Sequence, residues 1–174
     1  MTIRVFATGG TFDKEYDYIN GRLYFTTTQL PSIFRQGRST LDIKLRTLMM
    51  KDSLEMTRED RMLIVDACNQ CREDNIVITH GTDTMVKTAG VLAQHVQNKT
   101  VVLTGAMIPY KFGSSDGFFN LGSALAFVQT LPHNVYVVMN GQAFPWDNVR
   151  KNHANGLFEE LPENADPSVS INNF

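Results

Sequence analysis

Three segments of the sequence combine threonine with glycine, and each follows a short apolar run. They are Thr8-Gly9-Gly10-Thr11, Thr79-His80-Gly81-Thr82-Asp83-Thr84 and Thr104-Gly105-Ala106. A hydroxyl on a glycine-rich turn becomes a nucleophile when a neighbouring group takes its proton. A threonine hydroxyl of the first segment is therefore a candidate nucleophile. A phosphate-binding turn is the alternative, but the spacing matches neither GxGxxG nor GxxxxGK[ST], and this disfavours a nucleotide site.

The second segment supports two interpretations. Gly81 permits a sharp turn, and Thr82 or Asp83 would then lie at a helix N-terminus, where unpaired N–H groups stabilise developing negative charge. Threonine and aspartate are also ordinary helix caps, so a purely structural role remains open. His80 is either a hydrogen-bonded core residue or a base.

A hydroxyl nucleophile needs a base, and the spacing of the four histidines indicates no pair with an acidic residue. A partly desolvated lysine can serve instead, because burial lowers its pKa. Four lysines near expected loop ends qualify, although each is equally compatible with a solvated surface. They are Lys14, Lys87, Lys111 and Lys151.

Apolar strands alternate with helical segments along the chain. The patterns predict strands over 3–7, 41–49, 76–79, 100–103 and 134–139, and helices over 30–36, 58–73, 84–96 and 116–130, the second capped by Thr57. Residues 13–28 show no period and are expected to form a long mobile loop. This alternation predicts an α/β three-layer sandwich with a mostly parallel central sheet. The three threonine-glycine segments would meet at one edge of it.

Composition restricts the function classes. The chain has 174 residues, 43% of them hydrophobic and 20% charged, with a net charge of −2, so one soluble domain without a nucleic-acid or membrane partner is expected. The N-terminus resembles no signal peptide, which favours a cytoplasmic protein. Cys68 and Cys71 are interpreted as helix thiols rather than a redox pair. No metal-binding pattern occurs, and we expect neither metal nor cofactor.

Taken together, the three segments resemble the bacterial-type L-asparaginase family, in an order that is far more specific than any one of them. Further matches extend the resemblance from residue 3 to about residue 160. The matching segments are Ala7 to Thr11, Asp52-Ser53 with Met56-Thr57, Ile78 to Met85, Leu103 to Pro109, Ser115-Asp116-Gly117 with Asn120-Leu121, Val138-Met139-Asn140 and Val149-Arg150-Lys151.

The resemblance implies an N-terminal catalytic domain of that family and hydrolysis of L-asparagine to L-aspartate and ammonia. It implies that Thr11 is the nucleophile and that Thr82, Asp83 and Lys151 form a second catalytic group. Asp52, Ser53, Thr82, Asp83 and Ala106 would bind substrate, Asp83 receiving its α-ammonium. Tyr16 is the expected lid tyrosine, and Tyr18 is the alternate. Leu54 replaces a residue that is often polar in the family.

The family members are usually about twice as long as this chain. We expect a catalytic domain at 1–161, a polar tail at 162–174 and no second domain. A homo-oligomer, dimer or tetramer, is also expected. Two alternatives remain open: an amino-acid-binding domain without activity, and an amidase subunit of an amidotransferase. Glutamine remains open as a second substrate, because a single methylene changes pocket affinity by only about 1–3 kcal/mol.

Overall fold

The computed structural model describes residues 1–162, and within them ten strands and four α-helices alternate along the chain. The strands are β1 (Thr2–Gly9), β2 (Lys14–Asp17), β3 (Arg22–Phe25), β4 (Asp42–Lys51), β5 (Asn75–Thr79), β6 (Thr100–Thr104), β7 (Asn134–Met139), β8 (Gln142–Pro145), β9 (Arg150–Asn152) and β10 (Leu157–Glu159). The helices are α1 (Leu30–Gln36), α2 (Arg58–Gln70), α3 (Met85–His95) and α4 (Gly117–Phe127).

Six of the strands form the central sheet, in the order β4-β1-β5-β6-β7-β8. The first five are parallel, and β8 pairs antiparallel with β7 at the edge. The sheet has helices on both faces, with α2 and α3 contributing to one hydrophobic cluster and α1 and α4 to the other. The three-layer α/β architecture predicted from the sequence is therefore confirmed.

Neighbouring residues of the central strands point to opposite clusters, which explains their continuous apolar runs. Ile76 and Ile78 of β5 pack beneath α2 and α3, whereas Val77 packs on the side of α1 and α4. Thr57 caps α2 as predicted, because its side chain accepts the Asp60 N–H while the Asp60 carboxylate accepts the Thr57 N–H. Helix α2 ends at Gln70, so Cys68 is a helix thiol but Cys71 lies just beyond the helix.

The prediction of a mobile loop over residues 13–28 is wrong. Strands β2 and β3 form a two-stranded hairpin there, with Lys14 opposite Phe25 and Asp17 opposite Arg22. Its turn is closed by the Asp17 carboxylate, which accepts the N–H groups of Ile19 and Asn20. Most hairpin side chains are exposed or half-buried, so the sequence lacks the apolar and polar alternation that identifies a strand with one buried face.

The carboxyl ends of β1, β4 and β5 approach one another more closely than side chains would allow. Gly10 donates its N–H to the Lys51 carbonyl at 2.9 Å, and a Cβ on Gly10 would lie 2.4 Å from the Gly81 nitrogen. A Cβ on Gly81 would in turn lie 2.6 Å from Ser53. Glycine is therefore required where these strand ends meet.

Replacement of Gly81 by alanine should lower the free energy of unfolding by about 1–3 kcal/mol, because the new methyl group overlaps Ser53. Gly122→Ala is the matched control. Gly122 lies within α4 and has no neighbour within 4 Å of its Cβ position, so the same change there should stabilise the protein by about 0.5–1 kcal/mol. Denaturant unfolding of both variants measures the difference. Equal effects would contradict the proposed steric contact.

Candidate active site

Lys151, Thr82 and Asp83 form a hydrogen-bonded cluster at the carboxyl edge of the sheet. The Lys151 ammonium donates to the Thr82 hydroxyl at 2.8 Å and lies 2.6 Å from the Asp83 carboxylate. The Lys151 side chain is only 8% exposed, so this pair is partly shielded from solvent. The structure thus brings together a hydroxyl, an amine and a carboxylate from positions 68 and 69 residues apart.

The hairpin of β9 and β10 positions Lys151. Lys151 pairs across the hairpin with Phe158, which is buried in the main hydrophobic cluster. The Asn140 side chain accepts the Phe158 N–H, and the Asn140 N–H donates to the side chain of Asn120. Asn120 also donates to the Gly105 carbonyl at the end of β6. A chain of hydrogen bonds therefore fixes the hairpin relative to the sheet.

Thr11 follows two glycines with positive φ, Gly9 at 91° and Gly10 at 75°, and opens a short 3-10 helix. Phe12 anchors this turn, because it is fully buried and its ring packs where a Cβ on Gly117 would lie. The contact between Gly10 and Gly81 places Thr11 beside the turn that holds Thr82. Thr11 is half-buried, and its hydroxyl bonds to no residue within 1–162, so it is available to a substrate.

Ser53 lies next to the same turn, as a consequence of irregular pairing in β4. Ala7 pairs with Thr47 but Gly9 pairs with Lys51, so β4 bulges before it reaches Asp52 and Ser53. The Ser53 carbonyl accepts the Thr84 hydroxyl at 2.8 Å. The adjacent Asp52 points elsewhere, since its carboxylate lies 2.5 Å from the Lys14 ammonium and accepts the Leu54 N–H. Asp52 therefore joins the hairpin base to β4.

Ala106 and Tyr16 differ in their relation to the cluster. Ala106 is buried directly after β6, followed by Met107, whose sulfur lies 3.5 Å from the Thr82 hydroxyl oxygen. Asp116 shapes this segment by accepting the N–H groups of Met107 and Ile108. Tyr16 is 53% exposed on β2 and packs edge-on against Phe112, and within residues 1–162 its hydroxyl has no hydrogen-bond partner. The structure does not bring Tyr16 into the cluster.

Tyr18, the alternate lid residue, is 82% exposed in the hairpin turn. The other lysines considered as bases also lie outside the cluster. Lys14 pairs with Asp52, Lys111 is exposed, and Lys87 lines a cavity beyond Asp83. Of the four lysines, only Lys151 bonds to Thr82.

His80 belongs to a buried network beneath the Thr82 turn and makes no contact with the cluster. Its Nδ1–H donates to the Gly81 carbonyl at 2.8 Å, and its Nε2 accepts the Thr88 hydroxyl at 2.9 Å, a tautomer assigned from these partners. Burial lowers the pKa of His80 to about 4, aided by the charge of nearby Arg61 and opposed by the Gly81 bond. The core interpretation of His80 therefore fits the structure.

Arg61 is the residue that sequence reasoning missed. It is only 4% exposed, and its guanidinium bonds to the hydroxyls of Thr88 and Thr84 and to the Met56 and Thr57 carbonyls. It lies on α2 three residues before Ile64 and seven before Cys68, a spacing that places all three on the buried face of the helix. Helical spacing was thus the available signal.

Two threonines of the threonine-glycine segments, Thr8 and Thr104, bond to neighbouring strands. Thr8 donates its hydroxyl to the Thr79 carbonyl at 2.7 Å, and Thr104 donates to the Val138 carbonyl at 2.8 Å. These hydroxyls join neighbouring strands and are fully buried.

No group of three metal-ligating side chains occurs within residues 1–162. No helix in this range has the length and apolar character needed to cross a membrane.

Comparisons of the sequence with protein families and with known proteins agree with one another. The family described as "Asparaginase, N-terminal" matches residues 2–162. L-asparaginase 1 of Escherichia coli K12 is 32% identical over 95% of this chain and 52% of its own length. A glutamyl-tRNA(Gln) amidotransferase subunit of Methanococcus vannielii is 30% identical over 99% of this chain and 43% of its own length. The chain therefore spans about half the length of these relatives.

Solved structures agree with the sequence matches. The thermostable L-asparaginase from Thermococcus kodakarensis superposes with a TM-score of 0.81 at 30% identity, covering 92% of this chain and 51% of that one. L-asparaginase I from Vibrio cholerae gives a TM-score of 0.78 at 30% identity, with coverages of 92% and 52%. The architecture described above is thus the one found in half of each of these chains.

Asp13, two residues after Thr11, is a buried carboxylate without a cationic partner among residues 1–162. One of its oxygens accepts the Gln29 N–H at 2.8 Å and the Thr28 hydroxyl at 3.1 Å, and the other has no hydrogen bond. Burial raises the pKa of Asp13 to about 6, although both hydrogen bonds oppose the rise. Ionised Asp13 therefore destabilises the folded protein relative to the unfolded chain.

The Asp13→Asn variant should reveal this cost through pH. Because the folded protein holds the Asp13 proton up to about pH 6 and the unfolded chain releases it near 3.8, wild-type stability falls over that window. Relative to the variant, wild type should lose about 2 kcal/mol in free energy of unfolding between pH 4 and pH 7. Urea unfolding of both proteins across this range measures the difference. Parallel profiles would disprove the assignment.

Proposed function

The chain is an amidohydrolase domain of the asparaginase family, and on that premise we propose that it hydrolyses L-asparagine to L-aspartate and ammonia. The contact of Lys151 with both Thr82 and Asp83 is the observation that carries the proposal. A lysine that bonds to a hydroxyl and is oriented by a carboxylate resembles the three-residue arrangement of serine hydrolases, in which an acid orients the group that contacts the hydroxyl.

In the proposed reaction the Thr11 hydroxyl oxygen attacks the side-chain amide carbon. The carbon–nitrogen bond breaks, the proton from Thr11 goes to the departing nitrogen, and ammonia leaves. An ester between Thr11 and the aspartyl group remains. Water then attacks the ester carbon, returns one proton to the Thr11 oxygen and releases aspartate.

Thr82 and Lys151 manage the proton and the charge that develop during these steps. Because Lys151 supplies the hydrogen that the Thr82 oxygen accepts, the hydroxyl hydrogen of Thr82 is free to donate to substrate. Its acceptor in the structure is the Met107 sulfur at 3.5 Å, and thioether sulfur is a weak acceptor. A substrate oxygen or nitrogen would replace it readily.

The substrate's α-carbon end is assigned to Ser53 and Asp83. Ser53 is buried between the Gly81 turn and Thr84, and its fixed hydroxyl and neighbouring N–H groups suit a carboxylate. Asp83, whose side chain is 38% exposed, would accept the ammonium while paired with Lys151. The Ala106 backbone would line the side of the amide.

Amide release from glutamine, within an amidotransferase, is the second candidate. It is favoured by the relatives named as subunits of a glutamyl-tRNA(Gln) amidotransferase, which match up to 99% of this chain. Ammonia release from asparagine compared with glutamine separates the two candidates. A preference for glutamine would favour the second, and an inert protein would favour a binding domain without activity.

Thr11→Ala and Lys151→Met should each lower kcat for asparagine by at least about 10²–10⁴-fold, because each removes a group that takes part in proton transfer or bond formation. Ammonia release measures the loss, and circular dichroism checks the fold. Lys111→Met is the control, since Lys111 is exposed and bonds to no residue within 1–162. Full activity of either site variant would refute its assigned role.

The identity of the nucleophile is tested separately. Rapid quenching of the wild-type reaction, followed by proteolytic digestion and mass measurement of the peptides, should show the aspartyl ester on the peptide that contains Thr11. The adduct should be absent from Thr11→Ala. An adduct on Thr82 instead would exchange the roles of the two threonines.

A further inference from the structure

Met107 lies between the catalytic cluster and the hairpin that carries Lys151. Its sulfur is 3.5 Å from the Thr82 hydroxyl oxygen, from which it accepts a weak hydrogen bond. A Cβ on Gly156 would lie 3.2 Å from the Met107 methyl group, so the end of this side chain also reaches the turn between β9 and β10. A chemical change at the Met107 sulfur would therefore alter contacts with both Thr82 and the hairpin.

The backbone of Met107 is held in place, whereas its side chain is accessible to small molecules. The Met107 N–H donates to both carboxylate oxygens of Asp116 at 3.0 Å. Of the eight methionines of the chain, all of which lie within residues 1–162, only Met1 and Met107 are exposed, and Met107 is 40% exposed. Oxidation of a thioether requires that the oxidant reach the sulfur, so Met107 is the exposed, oxidisable methionine at the candidate active site.

The two cysteines are less reactive towards the same oxidants. Cys68 is fully buried, and burial raises the pKa of its thiol to about 12. Burial also raises the pKa of the half-buried Cys71 thiol, although the charge of Lys99 opposes the rise. Since the thiolate is the reactive form, both cysteines should react slowly near neutral pH. This favours Met107 as the residue through which a peroxide acts on the cluster.

We propose that Met107 is a site of reversible oxidation by peroxides, and that its sulfoxide inactivates the site by accepting the hydrogen bond that the Thr82 hydroxyl otherwise donates to substrate. In the forward step a sulfur lone pair attacks one peroxide oxygen and forms the S–O bond. The O–O bond breaks, two electrons pass from sulfur to the peroxide, and the second oxygen takes the proton of the first and leaves as water or an alcohol. In the reverse step two thiols of a reductase form a disulfide, and the sulfoxide oxygen leaves as water.

The sulfoxide differs from the thioether in the strength and polarity of its contacts. Its oxygen is a stronger hydrogen-bond acceptor, so it retains the Thr82 hydroxyl hydrogen that a thioether gives up readily. The added oxygen also makes the end of the side chain larger and polar next to the Gly156 turn. The effect on turnover rests on the proposed function, because it acts through Thr82 of the same site, whereas the oxidation of Met107 does not.

Peptide mass measurement after treatment with hydrogen peroxide tests where oxidation occurs. Sulfoxide should accumulate at the exposed Met1 and Met107 before it appears at the remaining methionines. Met62 is the internal comparison, because it is partly buried on α2 and packs against the main hydrophobic cluster. Oxidation of Met62 ahead of Met107 would overturn the assignment.

Ammonia release from asparagine tests the effect of the modification. Oxidised wild type should lose at least about tenfold in kcat/KM, the contribution of one hydrogen bond to a charged group, and methionine sulfoxide reductase should restore it. Met107→Leu, compared before and after treatment, should lose little activity, whereas Met62→Leu should respond as wild type does. An equal loss in Met107→Leu, or recovery with dithiothreitol alone, would assign the effect to another residue and overturn the proposal.

A crystal structure of the oxidised protein keeps this inference separate from the proposed function. The sulfoxide oxygen of Met107 should lie within about 3 Å of the Thr82 hydroxyl oxygen. If untreated protein releases no ammonia but this bond is present, the proposed function is wrong and the assignment of Met107 stands. A sulfoxide oxygen directed into solvent, with no bond to Thr82, would overturn the assignment whether or not the protein is an active enzyme.

Discussion

The contact between Gly10 and Gly81 is the constraint on which the site depends. Two parallel strands end side by side, and their turns touch backbone to backbone with no room for a Cβ atom. Thr11 and Thr82 follow these glycines directly, so the contact fixes the positions of the two threonines relative to each other. Ser53 is pressed against the same point by the bulge in β4. Three separate segments thus share one closely packed junction.

Most buried polar groups around this junction form hydrogen bonds with one another. The Arg61 guanidinium donates a hydrogen bond to the Thr88 hydroxyl, which in turn donates to the His80 imidazole. The imidazole donates to the Gly81 carbonyl, where this series of hydrogen bonds ends. The neutral imidazole is favoured because its two partners use one donor and one acceptor. Two groups are exceptions within residues 1–162: the Thr79 hydroxyl and one Asp13 oxygen have no hydrogen-bond partner, and the Asp13 carboxyl holds its proton more strongly than usual. Hydrogen bonds therefore hold the polar groups beneath the Gly81 turn in place, whereas ionisation of Asp13 lowers the free energy of unfolding.

Periodicity and turn chemistry predicted most of the fold. The strands of the sheet are apolar throughout because helices cover both faces, and Thr57 begins α2 through a reciprocal cap that is visible in the letters alone. The hairpin over residues 14–25 could not be found this way, since it buries neither face and is held by Asp17 and by Glu15, which accepts from Thr26 and Gln29. Such contacts leave no periodic trace in the sequence.

The sequence likewise predicted some features of the candidate site but not others. The three threonine-glycine segments were predicted to meet at one edge of the sheet, and they do, because strand direction alone requires their convergence. Spacing could not distinguish Lys151 from the other lysines, since its position depends on the Asn120 and Asn140 bonds to a distant hairpin. Arg61 was missed because arginine is rarely buried, although its helical spacing from Ile64 and Cys68 places it on the buried face of α2.

The hairpin that carries Lys151 is the last element of the described chain, and its contacts with the rest of the protein include the buried Phe158, the Phe158–Asn140 hydrogen bond and the Lys151–Asp83 ion pair. Small units of this kind open more easily than the strands beneath them. Opening of this hairpin would separate Lys151 from Thr82 and Asp83 while the parallel sheet stays intact. The proposed activity would then be lost on warming before the sheet unfolds, and a ligand bound against Lys151 would raise the temperature of that loss.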